Sequence, residues 1–428
     1  MPLRLDATSV AFAGAFAALV NARRDADEDV SRDVAAILAD VRRRGDVAVA
    51  VYTQRFDGHD LDRTGWRIPK ARCQAALADL DPKLRAALEL AARRISDYHA
   101  AQKPPDRDET DAAGVRMGAR WTAVEAAGLY VPGGRASYPS SVLMNALPAK
   151  VAGVQRLTMV TPTPGGEVNP LVLAAAELAG VDEVFAIGGA QAVGALAYGT
   201  ATIRPVDVVV GPGNAWVAEA KRQLYGTVGI DMVAGPSEIV VVADADNDPE
   251  WIAADLLSQA EHDPTSQSIL FTDDNAFADA VAAAVDRQLA DLATGKVASE
   301  SWRTNGAIIL VETLIDAAPL IDRLAPEHLE LAIADPDPLF RAVCHAGSIF
   351  LGRHTPEAVG DYVGGPNHVL PTGRRARFSS GLSVLDFMKR TSFLGCTAES
   401  IAAIGPAAVA LAEAEGLPAH ARSVAVRL

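Results

Sequence analysis

The stretch Gly128-Leu129-Tyr130-Val131-Pro132-Gly133-Gly134 is a short apolar run that ends in proline and paired glycines. Three further runs of the same design lie at 157–164, 184–189 and 206–213, and each precedes an alanine-rich stretch with helical periodicity. Strands that alternate with helices in this way predict βα units on a parallel sheet. The predicted fold class is therefore α/β.

A second series of the same kind begins after Gly235-Pro236-Ser237. Its predicted strands are at 238–243, 268–272 and 307–311, and the predicted helices between them are at 249–262 and 276–292. Two α/β units are therefore expected. The residues before about Thr122 show mainly helical patterns, over 30–43 and 84–100, and are expected to pack on the second unit.

Both ends of the chain are predicted to be helical. Near the start, Phe12, Phe16 and Val20 recur at helical spacing, and the flanking charges are opposite to those of a signal peptide. After residue 381 a helical tail is predicted, with Pro406 at a helix start and Gly416 at its end. Because this tail has little core of its own, we expect it to dock elsewhere, for example on a second subunit.

Composition narrows the class of protein. The 428 residues include 39 basic and 54 acidic side chains, which gives a formal charge of −15 and no electrostatic case for nucleic acid or an anionic membrane. No run approaches the roughly 20 apolar residues that span a bilayer. Cys73, Cys344 and Cys396 form no close pair, which fits a reducing compartment, so a cytoplasmic protein is predicted.

Four of the chain's eight histidines lie beside a carboxylate or an amide in short segments of the C-terminal half. These segments are Gln259-Ala260-Glu261-His262, Pro326-Glu327-His328, Gly360-Asp361 followed by Gly364-Gly365-Pro366-Asn367-His368, and Glu415-Gly416-Leu417-Pro418-Ala419-His420. Such side chains are what a zinc site with a neighbouring general base requires.

The first two segments are predicted to lie on helices. Asp248-Pro249 and Asp263-Pro264 frame a helix that carries Gln259 and His262 on one face, either as a metal-binding pair or as an ordinary exposed helix end. Pro326 at a first helical position would place Glu327 and His328 in the first turn, where the helix dipole keeps an imidazole neutral. The alternative there is a capping glutamate beside an exposed histidine.

The other two segments also allow two interpretations. A short helix over 356–362 is predicted to deliver Asp361 to the Gly- and Pro-rich loop 364–373, which is either a functional loop or a plain surface turn. Glu415 at a helix C-terminus opposes the dipole by roughly 0.3–1 kcal/mol, which suggests that it binds a cationic group. Pro418 is predicted to start a new helix with His420 in its first turn, as a neutral metal ligand or an exposed tail histidine.

Two strand-to-helix turns could hold a dinucleotide. Gly188-Gly189 and Gly211-Pro212-Gly213-Asn214 would place backbone N–H groups at helix N-termini, as a pyrophosphate site requires. Neither is a GxGxxG motif with a downstream acidic residue, so the signal for NAD is weak. Tight turns without a ligand are the alternative.

Taken together, these segments make the chain resemble the histidinol dehydrogenase family from about residue 30 to the C-terminus. The resemblance rests on Tyr130-Val131-Pro132-Gly133-Gly134, Gly188-Gly189-Ala190-Gln191-Ala192, Gly211-Pro212-Gly213-Asn214, Gly235-Pro236-Ser237-Glu238, Gln259-Ala260-Glu261-His262, Ala325-Pro326-Glu327-His328, Gly365-Pro366-Asn367-His368 and Glu415-Gly416-Leu417-Pro418-Ala419-His420.

The resemblance implies two Rossmann-like parallel-sheet units, one nested in the other, with small helical N- and C-terminal extensions. The implied N-terminal extension covers 1–26, and the C-terminal tail covers 382–428. The first α/β domain, with the metal and acid/base residues, covers 27–129 together with 237–381. The nested α/β domain, with the NAD contacts, covers 130–236. It also implies a homodimer whose tail crosses over, which would bring Glu415 and His420 into the partner's site.

The resemblance further implies a role for each site residue. The implied zinc ligands are Gln259, His262, Asp361 and His420. The implied substrate contacts are these four together with Ser237, His328, His368 and Glu415. The implied NAD contacts are Tyr130, Gln191 and Asn214. Glu327 and His328 match the acid/base pair of the family.

The implied activity is the zinc-dependent oxidation of L-histidinol to L-histidine by way of L-histidinal, with two NAD⁺ consumed, as the last step of histidine biosynthesis. One alternative is a paralogous NAD-dependent dehydrogenase for another small alcohol, such as a sulfonated diol. A different class is a zinc hydrolase that uses Glu327 as its base. A non-catalytic binding protein agrees least with the residues, because no implied site position departs from the family pattern.

Overall fold

The computed structural model describes residues 2–22, 28–133 and 138–428. Gly134 of the first apolar run and the boundary implied at residue 26 lie outside these ranges. Within them the strands are β1 (Leu3–Asp6), β2 (Arg67–Ile68), β3 (Arg107–Thr110), β4 (Arg116–Ala123), β5 (Ala126–Tyr130), β6 (Arg156–Val160), β7 (Glu183–Phe185), β8 (Val208–Val210), β9 (Gly229–Ile230), β10 (Glu238–Ala243), β11 (Gln267–Thr272), β12 (Ala307–Leu310), β13 (His328–Ala332), β14 (Ser348–Leu351) and β15 (Met388–Gly395).

The helices of the same ranges are α1 (Phe12–Asn21), α2 (Glu28–Arg44), α3 (Asp46–Asp57), α4 (Leu61–Thr64), α5 (Lys70–Ala78), α6 (Pro82–Ala100), α7 (Pro139–Ala152), α8 (Pro170–Leu178), α9 (Gly189–Tyr198), α10 (Ala215–Leu224), α11 (Pro249–Ala260), α12 (Asn275–Asp291), α13 (Gly295–Asn305), α14 (Ala318–Leu324), α15 (Asp337–Ala342), α16 (Glu357–Val359), α17 (Ala398–Ala414) and α18 (Pro418–Ala425). None of these helices combines the length and the apolar character that crossing a bilayer requires.

The first series of βα units forms the nested sheet, with strand order β2-β7-β6-β5-β8-β9. Its strands are parallel except for the short β2, which runs antiparallel to β7. From β5 the chain moves outward through β6 and β7, then returns to place β8 on the other side of β5. The neighbouring strands β5 and β8 therefore mark the switch point, where open α/β sheets bind ligands at the carboxyl ends of their strands.

The second series forms the outer sheet, with strand order β1-β12-β11-β10-β13-β14 and parallel pairing throughout. Every residue of β10, β11 and β13 is buried, as expected for a parallel sheet covered on both faces. The predicted strand at 238–243 is confirmed with the same ends. Two Rossmann-like units built on parallel sheets are therefore confirmed as the architecture.

The N-terminal extension is only partly helical. Helix α1 buries Phe16 and Val20 against the outer sheet, which confirms the amphipathic spacing. The strand β1 was not predicted, and it pairs with β12 at the edge of the outer sheet. Leu3 and Leu5 alternate with polar residues over only four positions, too few for a periodic signal.

The helices before Thr122 pack on the nested sheet, whereas the sequence grouped them with the outer one. Val34, Leu38 and Ile95 share one continuous core with Leu129 of β5. Gly194 on α9 makes this approach possible, because a Cβ there would lie 3.0 Å from the Leu38 side chain. The packing of these helices thus differs from the expected one, and the limits of the domains stay a prediction.

The tail is helical at α17 and α18, as predicted, but a 3₁₀ turn over Val384–Phe387 and a strand that was not predicted precede these helices. Its strand β15 pairs antiparallel with β4, and β4 pairs with β3, in a separate three-stranded sheet. Pro406 lies inside α17 rather than at its start, because Thr397 caps that helix by accepting a hydrogen bond from the Ser400 backbone N–H. The end of α17 before Gly416 and the start of α18 at Pro418 are confirmed.

Candidate active site

Most of the predicted site residues line one cavity of about 360 Å³. It lies between the carboxyl ends of β5 and β8 in the nested sheet and the amino ends of β10 and β13 in the outer sheet. The predicted residues on its wall are Asn214, Ser237, Gln259, His262, Glu327, His328, Asp361 and His368. The fold thus gathers distant segments of the chain into a single site.

Gln259 is a fully buried amide on the cavity wall, in the last turn of α11. The helix starts as predicted, since Asp248 accepts a hydrogen bond from the Glu250 backbone N–H. Within the described part of the chain, neither the oxygen nor the nitrogen of the Gln259 side chain has a hydrogen-bond partner. A buried unpartnered amide costs roughly 1–3 kcal/mol, so a bound ligand is needed to satisfy it. His262 lines the same wall just beyond the helix end.

Asp361 lies opposite, in the π-helical turn Gly360–Gly364 that follows α16. Its Oδ1 atom is 3.8 Å from Nε2 of His328 and 4.0 Å from Nδ1 of His368. Burial and the neighbouring Glu357 carboxylate raise the pKa of Asp361 to about 9. A cation beside these carboxylates would offset their repulsion, and carboxylate, imidazole and amide oxygen are groups that can bind zinc. The residues present therefore fit a metal ion.

Glu357 belongs to the same cluster, although the sequence analysis did not single it out. It is buried, and its Oε1 atom lies 3.8 Å from Nε2 of His328, while Oε2 accepts a hydrogen bond of 3.1 Å from Ser258. The ligand atoms of His328, Glu357 and Asp361 lie within 4.8 Å of one another. The spacing of four between Glu357 and Asp361 was the available signal, because such residues share one helical face.

The prediction that Glu327 and His328 lie in a helical turn is wrong. Helix α14 ends at Leu324, Ala325 takes a left-handed conformation with φ 46°, and β13 begins at His328. The strand pairs with β10, with Ile239 opposite His328, and all five of its residues are buried. Burial in the centre of the sheet outweighs the local preference of proline for a first helical turn.

His328 is held as a neutral imidazole by its surroundings. Its Nδ1 atom lies 3.1 Å from the backbone carbonyl of Glu238, which can only accept, so Nδ1 carries the proton and Nε2 keeps a free lone pair. Burial lowers the pKa of His328 below its ordinary value, so burial and not a helix dipole keeps the ring uncharged. Among the described residues Nε2 has no hydrogen-bond partner, and it is therefore available to accept a proton from a bound molecule.

Glu327 presents a carboxyl group to the same cavity from the residue before β13. Its Oε2 atom accepts a hydrogen bond of 3.0 Å from the backbone N–H of Glu238. Burial raises the pKa of Glu327 well above its ordinary value. A carboxylate with a raised pKa is a stronger base than an exposed one, which suits proton abstraction from water.

Helix α6 fixes the loop that carries His368. Arg94 donates to the backbone carbonyls of Val363 and Gly364 at 2.6 and 2.9 Å. Asn367 donates to the Met144 carbonyl at 2.6 Å, and its side-chain oxygen accepts from the backbone N–H of Val369. These bonds make the loop part of a rigid scaffold, as the functional interpretation expected. Burial and the nearby His328 lower the pKa of His368 to about 4, so its imidazole is neutral.

A carboxyl pair behind the cavity links three elements of the site. The Glu330 carboxyl accepts from the backbone N–H of Glu357 and shares a hydrogen bond with Asp255, one turn before Gln259 on α11. Burial and the Asp255 carboxylate raise the pKa of Glu330 to about 10. The carboxyl groups of Glu330 and Asp255 thereby tie β13, α11 and α16 together.

Of the predicted NAD contacts, Tyr130 and Asn214 lie at the ends of β5 and β8, whereas Gln191 lies on α9 after β7, and only Asn214 lines the cavity. Its Oδ1 atom accepts from the backbone N–H groups of Trp216 and Val217 and so caps α10. Tyr130 is buried behind the wall, where its hydroxyl accepts a hydrogen bond of 3.0 Å from the Gly189 N–H. Gln191 is also buried, and its Oε1 atom has no hydrogen-bond partner in the described ranges.

Glu415 and His420 do not line the cavity of their own chain. Glu415 is the C-cap of α17, and His420 lies in the first turn of α18, as predicted. Both residues are exposed. The structure of one chain therefore brings together Gln259, His262 and Asp361 of the implied zinc ligands but not His420.

Comparison with known proteins gives concordant matches over the whole chain. A family model described as histidinol dehydrogenase matches residues 20–428. The chain is 67% identical to the histidinol dehydrogenase of Zymomonas mobilis over 428 residues, which is the full length of both, and 65% identical to that of Rhodospirillum rubrum over 100% of this chain and 99% of the relative. The crystal structure of histidinol dehydrogenase from Elizabethkingia anophelis superposes with a TM-score of 0.95 at 36% identity, covering 100% of this chain and 98% of that one.

Proposed function

Because the chain belongs to the histidinol dehydrogenase family of NAD-dependent oxidoreductases, we propose that it oxidises L-histidinol to L-histidine in two successive steps, the last of histidine biosynthesis. The observation that carries the proposal is the shared cavity, whose wall holds His328 with Nε2 3.8 Å from Asp361 Oδ1, and also Gln259 and the 211–214 turn after β8. The proposed proton acceptor, the proposed cation site and the proposed dinucleotide site therefore line one cavity. The cytoplasm stays the predicted location of the protein, because its three cysteines form no close pair in the sequence.

Zinc is proposed to be held by Gln259, His262, Asp361 and His420. Two observations support this set: a cation would pair with the unpartnered buried Oε1 atom of Gln259, and it would offset the burial and the Glu357 charge that raise the pKa of Asp361. When bound, zinc orients the amine and the imidazole of the substrate. Ser237 and His368 on the wall are proposed as further substrate contacts.

His328 is proposed to accept the proton of the substrate hydroxyl in the first oxidation. Its Nε2 lone pair faces the cavity, and the Glu238 carbonyl fixes the tautomer that this role needs. Bound NAD⁺ accepts the hydride in each of the two oxidations. Tyr130, Gln191 and Asn214 are proposed as its contacts, which places it at the carboxyl ends of β5 and β8.

Glu327 is proposed to take a proton from the water that attacks the aldehyde between the two oxidations. The Glu238 N–H orients its carboxyl group, and the raised pKa makes its carboxylate a stronger base than an exposed one. As the water adds, the protonated His328 returns its proton to the aldehyde oxygen, and the neutral ring then accepts a hydroxyl proton of the hydrated aldehyde. The cavity keeps the reactive aldehyde in place, which prevents its loss to solvent.

A substrate with a cationic amine suits the charges of the cavity. Among the described lining residues other than histidine, the basic side chain is Lys221, and it is paired with Asp231. The wall also carries Asp263, Glu327 and Asp361. An anionic alcohol such as a sulfonated diol would meet these carboxyl groups without an unpaired lysine or arginine on the described wall, so L-histidinol is the better candidate.

The active unit is proposed to be a homodimer in which α17 and α18 reach the partner's cavity with Glu415 and His420. The tail supports this because Leu411 and Val426 are 66% and 67% exposed, which is unusual for large apolar side chains on a helical hairpin. A chain that supplied its own His420 would need the tail folded back over the cavity, whereas β15 anchors it on β4.

We expect a heterodimer of two variants that each form almost no L-histidine to regain the formation of L-histidine, which is the activity measured. Glu327→Gln and His420→Ala, carrying different affinity tags, are co-expressed and the doubly tagged dimer is purified. If His420 serves the partner's site, one of the two sites is intact and the dimer should show about half of the wild-type activity. A heterodimer as inactive as both parents, while a doubly tagged wild-type dimer is fully active, would contradict the crossed tail.

A zinc hydrolase that uses Glu327 is the rival from another class. Mixing the protein with L-histidinol and NAD⁺ separates the two functions, because only the oxidoreductase produces the absorbance of NADH. The switch point beside His328 favours the oxidoreductase, since a hydrolase has no use for a dinucleotide site.

A further inference from the structure

A buried ion pair in the wall of the cavity has no part in the proposed reaction. Lys221 on α10 and Asp231 after β9 form it, and their side chains are 2% and 0% exposed. Both residues line the cavity on the side of the nested sheet. Removing two charges from water is costly, and such a pair often stabilises a fold no better than apolar residues of the same size would. Its geometry therefore points to a role other than stability.

The two side chains of the pair form hydrogen bonds with the backbone N–H and the backbone carbonyl of Gly211. Asp231 Oδ2 accepts a hydrogen bond of 2.8 Å from the Gly211 N–H, and Lys221 Nζ donates one of 2.9 Å to the Gly211 carbonyl. Asp231 Oδ1 also accepts from the Met232 N–H at 2.6 Å. Gly211 has φ +114°, and a Cβ there would lie 2.1 Å from the Tyr130 carbonyl oxygen. The peptide is thus fixed in a conformation that only glycine adopts readily.

Asn214 connects the Gly211 turn to the helix that carries Lys221. Three residues after Gly211, Asn214 caps α10, the helix that carries Lys221. The ion pair consequently sets both the end of β8 and the start of α10, the two elements that meet at the switch point. The proposed zinc ligands in this cavity belong to other elements, namely the C-terminal end of α11 and the π-helical turn after α16.

We propose that Lys221 and Asp231 are positioning residues for the dinucleotide: they hold the 211–214 turn so that Asn214 and the first turn of α10 face the cavity. This inference rests on the proposed function, because NAD⁺ is the molecule assigned to the switch point. Neither residue touches the reacting atoms. Their effect is therefore expected on the binding of NAD⁺ and not on the metal or on the alcohol.

Two variants separate positioning from stability. Lys221→Met leaves a buried unpaired carboxylate, whereas Lys221→Met with Asp231→Leu removes both charges. The melting temperature should therefore fall most in the single variant and recover in the double variant. The KM for NAD⁺ should rise about tenfold in both, because the Gly211 N–H or carbonyl loses its partner in each. The KM for L-histidinol and the zinc content should change less than about twofold.

The control is Lys150→Met, which removes an exposed pair with Asp182 and should leave the KM for NAD⁺ unchanged. The dissociation constant of NAD⁺, measured by calorimetry without L-histidinol, gives an independent value. A KM for NAD⁺ that recovers together with the melting temperature, or that never changes, would show that the pair is merely structural. A wild-type protein that binds NAD⁺ but produces no NADH would instead overturn the proposed function and leave the binding test intact.

Discussion

His328→Gln is expected to lower kcat for L-histidinol oxidation by about 10²- to 10⁴-fold, because the substrate hydroxyl loses its proton acceptor. Glutamine keeps a side chain of similar length that can still donate to the Glu238 carbonyl. It offers no lone pair of comparable basicity where Nε2 now stands. Initial rates of NADH formation under saturating L-histidinol and NAD⁺ measure the effect.

Glu327→Gln is the matched comparison, since it changes the neighbouring residue on the same wall. With L-histidinal supplied as substrate, this variant should lose most of its aldehyde oxidation, because water is no longer deprotonated. The first oxidation from L-histidinol should be affected less. Equal losses in both half-reactions for both variants, or normal turnover in either, would remove the assignment of Glu327 and His328 to separate steps.

Removing the metal is expected to lower kcat by about 10²-fold or more, since the substrate loses the anchor that holds it beside His328. Dialysis against a chelator followed by addition of Zn²⁺ measures the loss and the recovery. Zinc per subunit, determined by elemental analysis, should follow the activity. Full turnover in protein free of metal would contradict the role assigned to Gln259, His262, Asp361 and His420.

Gln259→Leu tests the same site because the variant should be more stable than the wild type without zinc and less stable than it with zinc. Without metal, leucine removes an unpartnered buried amide, so the variant should be more stable than the metal-free wild type by about 1–3 kcal/mol. With zinc present, the wild type should gain stability by binding while the variant gains little. Denaturant melts of both proteins with and without zinc measure the difference. Parallel melts under both conditions would mean that Gln259 is not a ligand.

The sequence predicted well those elements whose signal is local. Apolar runs that end at glycine or proline placed β5 and β6 within a few residues of their observed ends, and the run after Gly235-Pro236-Ser237 placed β10. Helix α11 began at Pro249, where the Asp-Pro pair indicated it. Gln259 and Asp361 were assigned to one site by the resemblance to the family, and the fold places both on the wall of one cavity.

Features that depend on tertiary pairing were missed. Pro326 was interpreted as a helix start because proline favours the first turn of a helix. This local preference does not reveal that His328 pairs with the distant strand β10. The exposed strand β15 is held by β4, more than 260 residues earlier in the chain, and carries no clean alternation of its own. The Lys221–Asp231 pair joins a helix to a loop beyond β9, and spacing alone cannot reveal it.

The ratio of NADH formed to L-histidinol consumed tests the proposed reaction most directly. A limiting amount of L-histidinol is incubated to completion with excess NAD⁺, and NADH is measured by absorbance while L-histidine is quantified by chromatography. We predict about two NADH and one L-histidine for each L-histidinol, because oxidation of an alcohol to an acid releases two hydrides. A ratio of about one with accumulated aldehyde, or no NADH at all, would contradict it.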